Sequence, residues 1–127
     1  MDRKLLIAGT FFGMTAIVLG AFGAHALKQI LNAEQLQTFE TGVKYQMYHA
    51  LFLLFVGAYS GISAKSKNII FWLIFTGVIF FSGSIYLLAT GAAENFNKII
   101  GPITPIGGML LIIGWFVLLI DFFRQKS

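Results

Sequence analysis

The chain contains no cysteine, only two prolines and few charged residues. The absence of cysteine excludes disulfides, thiolate metal sites and thiol redox chemistry within this sequence. Charged residues make up 11 % of the 127 residues and hydrophobic residues make up 57 %. Soluble domains average roughly 25 % and 45–50 % on the same two measures. The composition therefore indicates a membrane protein rather than a soluble domain.

Charge is also absent from four long stretches, which cover residues 5–27, 45–64, 68–93 and 99–120. About 20 residues of helix cross a bilayer core of roughly 30 Å, and each stretch reaches that length. We predict an all-α polytopic membrane protein: a four-transmembrane-helix antiparallel bundle that forms a single membrane domain over residues 1–127. The expected spans lie at about residues 5–27, 43–64, 68–91 and 103–123.

The absence of carboxylates from the four stretches argues against some classes of membrane protein. No Asp or Glu lies inside any of these stretches, and Asp121 only borders the last one. Transporters coupled to ions or protons usually keep a carboxylate at membrane depth, so the sequence argues against a small multidrug-type exchanger. No nucleophile, base and acid form a recognisable catalytic set. We therefore expect no enzymatic activity, no cofactor and no metal site.

The basic residues lie at the ends of the predicted spans rather than in one patch, so we expect no nucleic-acid partner. Six of them fall on one side of the bundle: Arg3, Lys4, Lys65, Lys67, Arg124 and Lys126. On the opposite side three lysines are balanced by three glutamates: Lys28, Lys44, Lys98, Glu34, Glu40 and Glu94. The positive-inside rule therefore places both termini in the cytoplasm.

The end of the first span has one competing interpretation. Ala24, His25 and Ala26 resemble the small-residue cleavage site of a signal peptide. The apolar run before them is longer than the usual 7–15 residues or so of such a peptide. We expect the segment to be retained as a membrane span.

Small residues recur at helical spacing and predict where helix backbones approach closely. The positions are Gly9, Gly13 and Gly20 in the first span, Gly57 and Gly61 in the second, and Gly107 and Gly108 in the fourth. These rows have two interpretations, which are packing between spans of one chain and the seam of a homo-oligomer. Membrane lipids are the other expected partners.

The segment before the second span predicts a helix that begins outside the membrane. Asn32 followed by Gln35 has the pattern of a helix N-cap with its capping-box partner. An apolar stripe at spacings of three and four follows, so we expect the helix to run past Tyr45 into the second span. In the next link, Ser66 and Asn68 suit a turn that caps the third span.

Two prolines and three glycines fall within residues 101–108 and interrupt a helix. Non-helical backbone is tolerated in a bilayer only when it is buried in protein or faces water. We expect Gly101–Pro105 to fold over the outer end of the bundle and meet Tyr45, Tyr48 or His49. The alternative is an ordinary turn, with proline in the first turn of the fourth span.

Polar side chains gather in the outer halves of the predicted spans, whereas the cytoplasmic halves are mostly Leu, Ile, Phe and Val. The candidate ligand-binding residues are His25, Tyr45, Gln46, Tyr48, His49, Ser82, Ser84, Tyr86 and Thr104. Polar groups at membrane depth are costly and face the bundle interior or water. This pattern predicts a polar pocket at the outer end of the bundle that binds a small molecule or lipid.

The sequence leaves three alternatives to that pocket. In the first, the polar groups only hydrogen-bond between helices. In the second, an oligomer forms a channel or transporter for a small solute, since four helices hardly enclose a path alone. In the third, His25 and His49 flank a haem, or the pocket binds a quinone. Two histidines without a further haem signal are unspecific.

Four blocks of the sequence resemble one known family: GAFGAHALK at 20–28, FETGVKYQMYHALFLL at 39–54, FSGSIYLLATG at 81–91 and GPITPIGGMLLIIGW at 101–115. On these blocks the chain is identified as a member of the uncharacterised domain-of-unknown-function 423 family. Its members are small membrane proteins, YgdD-like in bacteria and transmembrane protein 256-like in animals. The resemblance implies a four-helix protein of the bacterial plasma (inner) membrane with an uncleaved first span. It implies no activity.

Overall fold

A computed structural model describes residues 2–125 as helices joined by short links. The helices are α1 (Asp2–His25), α2 (Ala33–Ala58), α3 (Ala64–Thr90), α4 (Asn97–Ile100) and α5 (Ile103–Arg124). Single 3₁₀ turns lie at Leu27–Gln29 and Glu94–Phe96. No strand occurs within residues 2–125, so the predicted all-α class is confirmed.

Side chains in two links fix where α2 and α3 begin. The Asn32 side chain accepts a hydrogen bond from the Gln35 backbone N–H at 2.8 Å, and the Gln35 side chain accepts from the Asn32 N–H at 2.9 Å. The predicted capping box and the helix that runs past Tyr45 are therefore confirmed. The predicted cap of the third span is wrong by about one turn. Ser63 caps α3 and accepts from the Ser66 N–H at 3.2 Å, so the residues predicted to cap lie inside the helix.

The four long helices run up and down in chain order. Helix α1 packs against α2, α2 against α3, and α3 against α5. Paired positions show the antiparallel register: Gly57, late in α2, lies against Leu5, early in α1. Likewise Thr104, at the start of α5, meets Ser84 in the last part of α3. We name the end with the first turn of α1 and the last turn of α5 the terminal end, and the opposite end the loop end.

Glycines allow the helix backbones to approach closely in the α3–α5 and α1–α2 seams. A Cβ at Gly107 would lie 2.4 Å from the backbone nitrogen of Phe81, so α5 packs backbone to backbone on α3 there. A Cβ at Gly9 would lie 2.9 Å from the carbonyl oxygen of Ala50. Backbone atoms cannot rotate away as a side chain does. A larger residue at either position therefore has to push the helices apart.

The other glycines predicted to pack differ in how closely they are held. Gly57 faces leucine side chains of α1 at 3.0–3.1 Å. Gly13, Gly20 and Gly108 have neighbours only at ordinary contact distances of 3.5–3.7 Å. Gly61 does not pack between helices, because α2 has already ended and this residue lies exposed in the link to α3. The prediction that Gly61 continues the packing row of α2 is therefore wrong.

Among residues 2–125, three helical segments are long and apolar enough to cross a membrane: Asp2–Gln29, Ala64–Thr90 and Ile103–Arg124. Three of the four predicted spans thus meet this measure of length and composition, and α2 does not. The reason is the series of polar and charged side chains between Glu34 and His49, which lowers the hydropathy of α2. Two of those polar side chains are nevertheless covered by protein, since Gln46 and His49 are 5 % and 4 % exposed.

Candidate functional site

The side chain of Gln46 joins three helices. Its amide nitrogen donates to the Phe12 carbonyl at 2.9 Å and to the Thr15 hydroxyl at 2.7 Å, both on α1. Its amide oxygen accepts from the Tyr86 hydroxyl of α3 at 2.6 Å. Both donors and the acceptor of this buried amide are therefore satisfied within the protein. Gln46 holds helices together rather than offering a free polar group.

Two serines of α3 also bond between helices. The Ser82 hydroxyl donates to the Gly42 carbonyl of α2 at 2.7 Å. The Ser84 hydroxyl lies 2.5 Å from the Thr104 hydroxyl of α5. Within residues 2–125, no buried side-chain nitrogen or oxygen lacks a hydrogen-bond partner. The hydroxyl groups of Tyr86 and of these residues therefore form hydrogen bonds between helices. This is the first alternative drawn from the sequence.

His49 lies between α2 and α5 with both ring nitrogens occupied. Its Nδ1 lies 2.7 Å from the Tyr45 carbonyl oxygen, and its Nε2 lies 3.0 Å from the indole Nε1 of Trp115. An indole N–H can only donate and a carbonyl oxygen can only accept. The imidazole is therefore the neutral tautomer with its proton on Nδ1. This arrangement links α2 to α5 and leaves neither nitrogen free for a ligand.

Aromatic rings complete this link. Phe52 packs on Trp115 with ring centroids 4.2 Å apart, and His49 meets the same indole edge-on at 6.0 Å. Tyr45 packs against Phe81 of α3 at 5.4 Å. Helices α2 and α5 both pack along α3 rather than closely along each other. Large side chains, not backbone contacts, therefore connect α2 with α5.

A cavity of about 360 Å³ opens between α2 and α5, with α3 at its back. It is lined by Thr41, Tyr45, His49, Phe81, Gly108, Leu111, Ile112 and Trp115. Thr41 lies nearest the loop end and Trp115 lies farthest from it, as their positions along α2 and α5 require. The walls are mostly aromatic and aliphatic, with the hydroxyl groups of Thr41 and Tyr45 on the side nearer the loop end. This combination is usual in small-molecule sites. We name this space the α2–α5 cavity.

The structure does not gather the nine predicted ligand-binding residues into one pocket. Tyr45 and His49 line the α2–α5 cavity. Gln46, Ser82 and Tyr86 line a separate cavity of about 270 Å³ on the α1 side of the bundle. The two sets diverge because successive residues of a helix point in different directions, so Tyr45 and Gln46 face opposite neighbours.

His25 and Tyr48 line neither cavity. Tyr48 is 53 % exposed, and His25 is the exposed last residue of α1. Gly23, two residues earlier, lies against Phe39. Phe39 precedes His49 by ten residues of α2, which corresponds to about 15 Å. The predicted pair of histidines therefore cannot flank one haem, and the haem interpretation is wrong. Within residues 2–125, no group of three or more His, Cys, Asp or Glu side chains could hold a metal ion.

Sequence reasoning missed the α5 side of the cavity. The sequence did mark Tyr45 and His49, which lie four residues apart on one face of α2, as candidate ligand-binding residues. Their partner Trp115 is 66 residues away from His49, and no local pattern pairs an indole donor with an imidazole. Thr15, which accepts from the amide of α2, was missed because a single threonine in an apolar span carries no signal.

The segment Gly101–Pro105 also differs from the prediction that it folds over the outer end of the bundle. Helix α5 already begins at Ile103, so Pro105 lies in its first turn. The segment meets the bundle through Thr104 and Ser84, not through the tyrosines or the histidine of α2 as predicted. The structure therefore shows the alternative, a short turn followed by proline in the first helical turn.

Comparison with known proteins identifies the family. Residues 19–108 match the family described as Protein of unknown function (DUF423). The chain belongs to the DUF423 family. It is 46 % identical over 122 residues to a UPF0382 membrane protein of Staphylococcus saprophyticus, which covers 96 % of this chain and 98 % of that protein. It is 45 % identical over 122 residues to a UPF0382 membrane protein of Staphylococcus aureus, covering 96 % and 97 %.

The match confirms the resemblance drawn from the four sequence blocks, because it spans most of them in order. The relatives of this DUF423 protein are named as membrane proteins, and three of its helical segments are apolar enough to cross a bilayer. It is therefore an integral membrane protein. No solved structure matches the chain.

Proposed function

We propose that this DUF423 protein crosses the bacterial plasma membrane four times and binds an amphipathic small molecule, of the lipid or quinone class, in the α2–α5 cavity. The observation that carries the proposal is the cavity itself, about 360 Å³ with mostly apolar walls and the hydroxyl-bearing Thr41 and Tyr45 on its side nearer the loop end. Ligand sites span roughly 300–1,000 Å³. This cavity therefore fits a ring or a chain segment rather than a whole lipid.

The proposal that α2 also crosses the membrane rests on its neighbours. Helix α2 packs along both α1 and α3, which carry two of the apolar segments. Polar side chains exposed to lipid are costly, but Gln46 and His49 are buried and hydrogen-bonded to neighbouring helices. The second half of α2 instead exposes apolar side chains such as Leu51 and Phe55. These contacts support a four-transmembrane-helix antiparallel bundle.

The proposed orientation places the terminal end in the cytoplasm, because that end carries most of the basic residues. Single cysteines test it without background labelling, since the chain has none of its own. We expect a membrane-impermeant maleimide to label Asn95→Cys at the loop end in intact cells. Ser60→Cys, in the exposed link of the terminal end, should react only after the cells are made permeable. The reverse pattern would overturn the orientation.

In the proposed complex, the apolar part of the ligand contacts Phe81, Leu111 and Trp115. Its polar head hydrogen-bonds to the hydroxyl groups of Thr41 and Tyr45, close to the membrane surface. His49 positions the Trp115 indole and offers no free nitrogen of its own. In this arrangement the two hydroxyl groups act as hydrogen-bonding partners of the ligand.

The packing below the cavity argues against a solute path through a single chain. Leu53, Val56, Ile70 and Ile74 are 0 % exposed and belong to one continuous apolar core. A water-filled route would have to separate these side chains. The oligomeric channel or transporter therefore stays a prediction from the sequence.

Native mass spectrometry of delipidated protein in detergent tests the binding site with two probes, lysophosphatidylethanolamine and a decyl-substituted benzoquinone. We expect one of them to form a 1:1 adduct with the wild-type protein and not with Gly108→Leu. Leucine at this position fills the cavity without a backbone clash, because its Cβ meets only the Phe81 ring, at 3.5 Å.

The matched control is Gly83→Leu, on the side of α3 that faces away from the α2–α5 cavity. A Cβ at Gly83 meets no atom within 4 Å, so this variant should fold and keep the adduct. Binding that survives in Gly108→Leu, or that is absent with both probes, would contradict the proposed function.

A further inference from the structure

A cavity at the terminal end concentrates positive charge between the first turns of α1 and α3. Its volume is about 270 Å³, and Lys4, Ala64, Lys67 and Asn68 line it. Ala64 is the first residue of α3. The first turn of a helix carries unpaired N–H groups and a partial positive charge. Two lysines and this helix end therefore face one space, which we name the basic cavity.

Lys67 is unusual because its charge is buried. Its side chain is 6 % exposed, and its Nζ lies 3.0 Å from a carboxylate oxygen of Asp2, which is 51 % exposed. A buried ammonium group requires a partner of opposite charge, and Asp2 supplies one. Two ammonium groups and one carboxylate leave a net charge of one positive unit at the basic cavity.

Lys4 lies where positive charge borders an apolar surface. Its Nζ donates to the side-chain oxygen of Asn68. The same atom lies 4.7 Å from the centre of the Phe71 ring and 5.6 Å from that of Trp72. Cation–π contacts of this kind keep an ammonium group beside aromatic rings. Because Trp72 is 55 % exposed, the cavity has an open apolar face directly next to its charge.

We propose that the basic cavity binds the phosphate headgroup of one anionic phospholipid, whose acyl chain lies along the exposed ring of Trp72. Lys4, Lys67 and the first turn of α3 face the phosphate. Basic pockets between transmembrane helices are suited to such headgroups. A lipid matches both the charge and the adjoining apolar face, whereas free phosphate matches only the charge. The site is separate from the α2–α5 cavity and requires only that α1 and α3 cross the membrane.

Titration of the full-length protein in detergent with phosphatidylglycerol, followed by native mass spectrometry, tests the site. Lys4→Gln removes the charge and keeps an amide that can donate to Asn68. We expect it to weaken phosphatidylglycerol binding about fivefold, the effect of one basic residue near a membrane surface. The matched control is Lys65→Gln, which removes the same charge from the same end of α3 but borders a different cavity, beside α5. Its affinity should be unchanged.

A variant with the opposite expected effect keeps the test decisive if Lys4→Gln folds poorly. Asp2→Asn removes the carboxylate that competes for Lys67 and should strengthen phosphatidylglycerol binding severalfold. Phosphatidylcholine, which carries no net charge, should bind at least several times more weakly than phosphatidylglycerol to the wild-type protein.

Three results would overturn the site. Equal losses in Lys4→Gln and Lys65→Gln would indicate diffuse attraction to the whole basic end. Weaker or unchanged binding in Asp2→Asn would show that Lys67 does not face the lipid. Displacement of phosphatidylglycerol by equimolar inorganic phosphate would indicate a site for the free anion.

Discussion

Helix α5 meets its two neighbours in opposite ways. Against α3 it packs backbone on backbone, where a Cβ at Gly107 would lie 2.4 Å from the nitrogen of Phe81. Towards α2 it faces a cavity of about 360 Å³ and makes contact through His49, Phe52 and Trp115. Lipid gives helices little hydrophobic reason to associate, so close backbone approach decides which helices pair. Small residues therefore close the seam between α3 and α5, which we name the tight seam, whereas large aromatic residues keep α2 and α5 apart at what we name the open seam.

The largest expected effect comes from replacing the glycine of the tight seam with a larger residue. Gly107→Leu should abolish the folded protein, because the added side chain meets backbone atoms of α3 that cannot rotate away. Size-exclusion chromatography and thermal unfolding in detergent measure the loss. Gly83→Leu, whose Cβ meets open space, should melt like the wild type. A stable Gly107→Leu protein would show that this glycine does not set the distance between α3 and α5.

An intermediate effect is expected at the hydrogen-bonded centre of the bundle. Gln46→Leu leaves the Tyr86 hydroxyl without its acceptor and removes the amide that donates to Thr15, which should cost about 1–3 kcal/mol of unfolding free energy. Unfolding in detergent of this variant is compared with Gln37→Leu, a change at an exposed position of the same helix.

The double variant sharpens the result. Adding Tyr86→Phe to Gln46→Leu removes the unpaired phenol and should recover part of the lost stability. If the stability lost in the double variant equals the sum of the losses in Gln46→Leu and Tyr86→Phe, the hydrogen bond between these side chains does not contribute as the structure implies.

The smallest effect is expected at the open seam. Trp115→Phe keeps a ring on Phe52 but removes the N–H that donates to His49, which should cost about 0.5–1.5 kcal/mol. The control is Trp72→Phe, whose indole lies on the other side of α3, near the basic cavity. Loss of stability in the control as large as in Trp115→Phe would mean that ring size, not the hydrogen bond, matters at the open seam.

The sequence predicted the helices better than the cavity, for a physical reason. The apolar runs of α1, α3 and α5 and the Asn32 capping box are local signals that the structure shows, as is the proline in the first turn of α5, which was the alternative drawn from the sequence. Two of the candidate residues, Tyr45 and His49, also lie on the face of α2 that lines the cavity. Whether a side chain on that face contacts another helix or lines a cavity depends on the distances between helices. Those distances are set by contacts such as Gly107 on Phe81, which no local pattern reveals.

The polar residues of α2 show the same limit. Their common position in the outer halves of the predicted spans marked Tyr45, Gln46 and His49 as one group, yet neighbouring positions on a helix face different partners. Gln46 bonds to α1 and α3, whereas His49 bonds to α5. The predicted single pocket therefore divides into a hydrogen-bonded centre and a cavity. This division depends on where α5 packs, and α5 is distant from α2 in the sequence.

Quenching of Trp115 tests most directly that the open seam holds a ligand. The chain has two tryptophans, so Trp72→Phe leaves Trp115 as the only one, and a brominated lysophospholipid in detergent quenches an indole that it contacts. If the α2–α5 cavity binds a lipid, quenching should saturate at about one lipid per protein and should disappear when Gly108→Leu fills the cavity. Quenching that rises without saturation, and equally in both proteins, would contradict it, because Trp115 would then meet only bulk lipid.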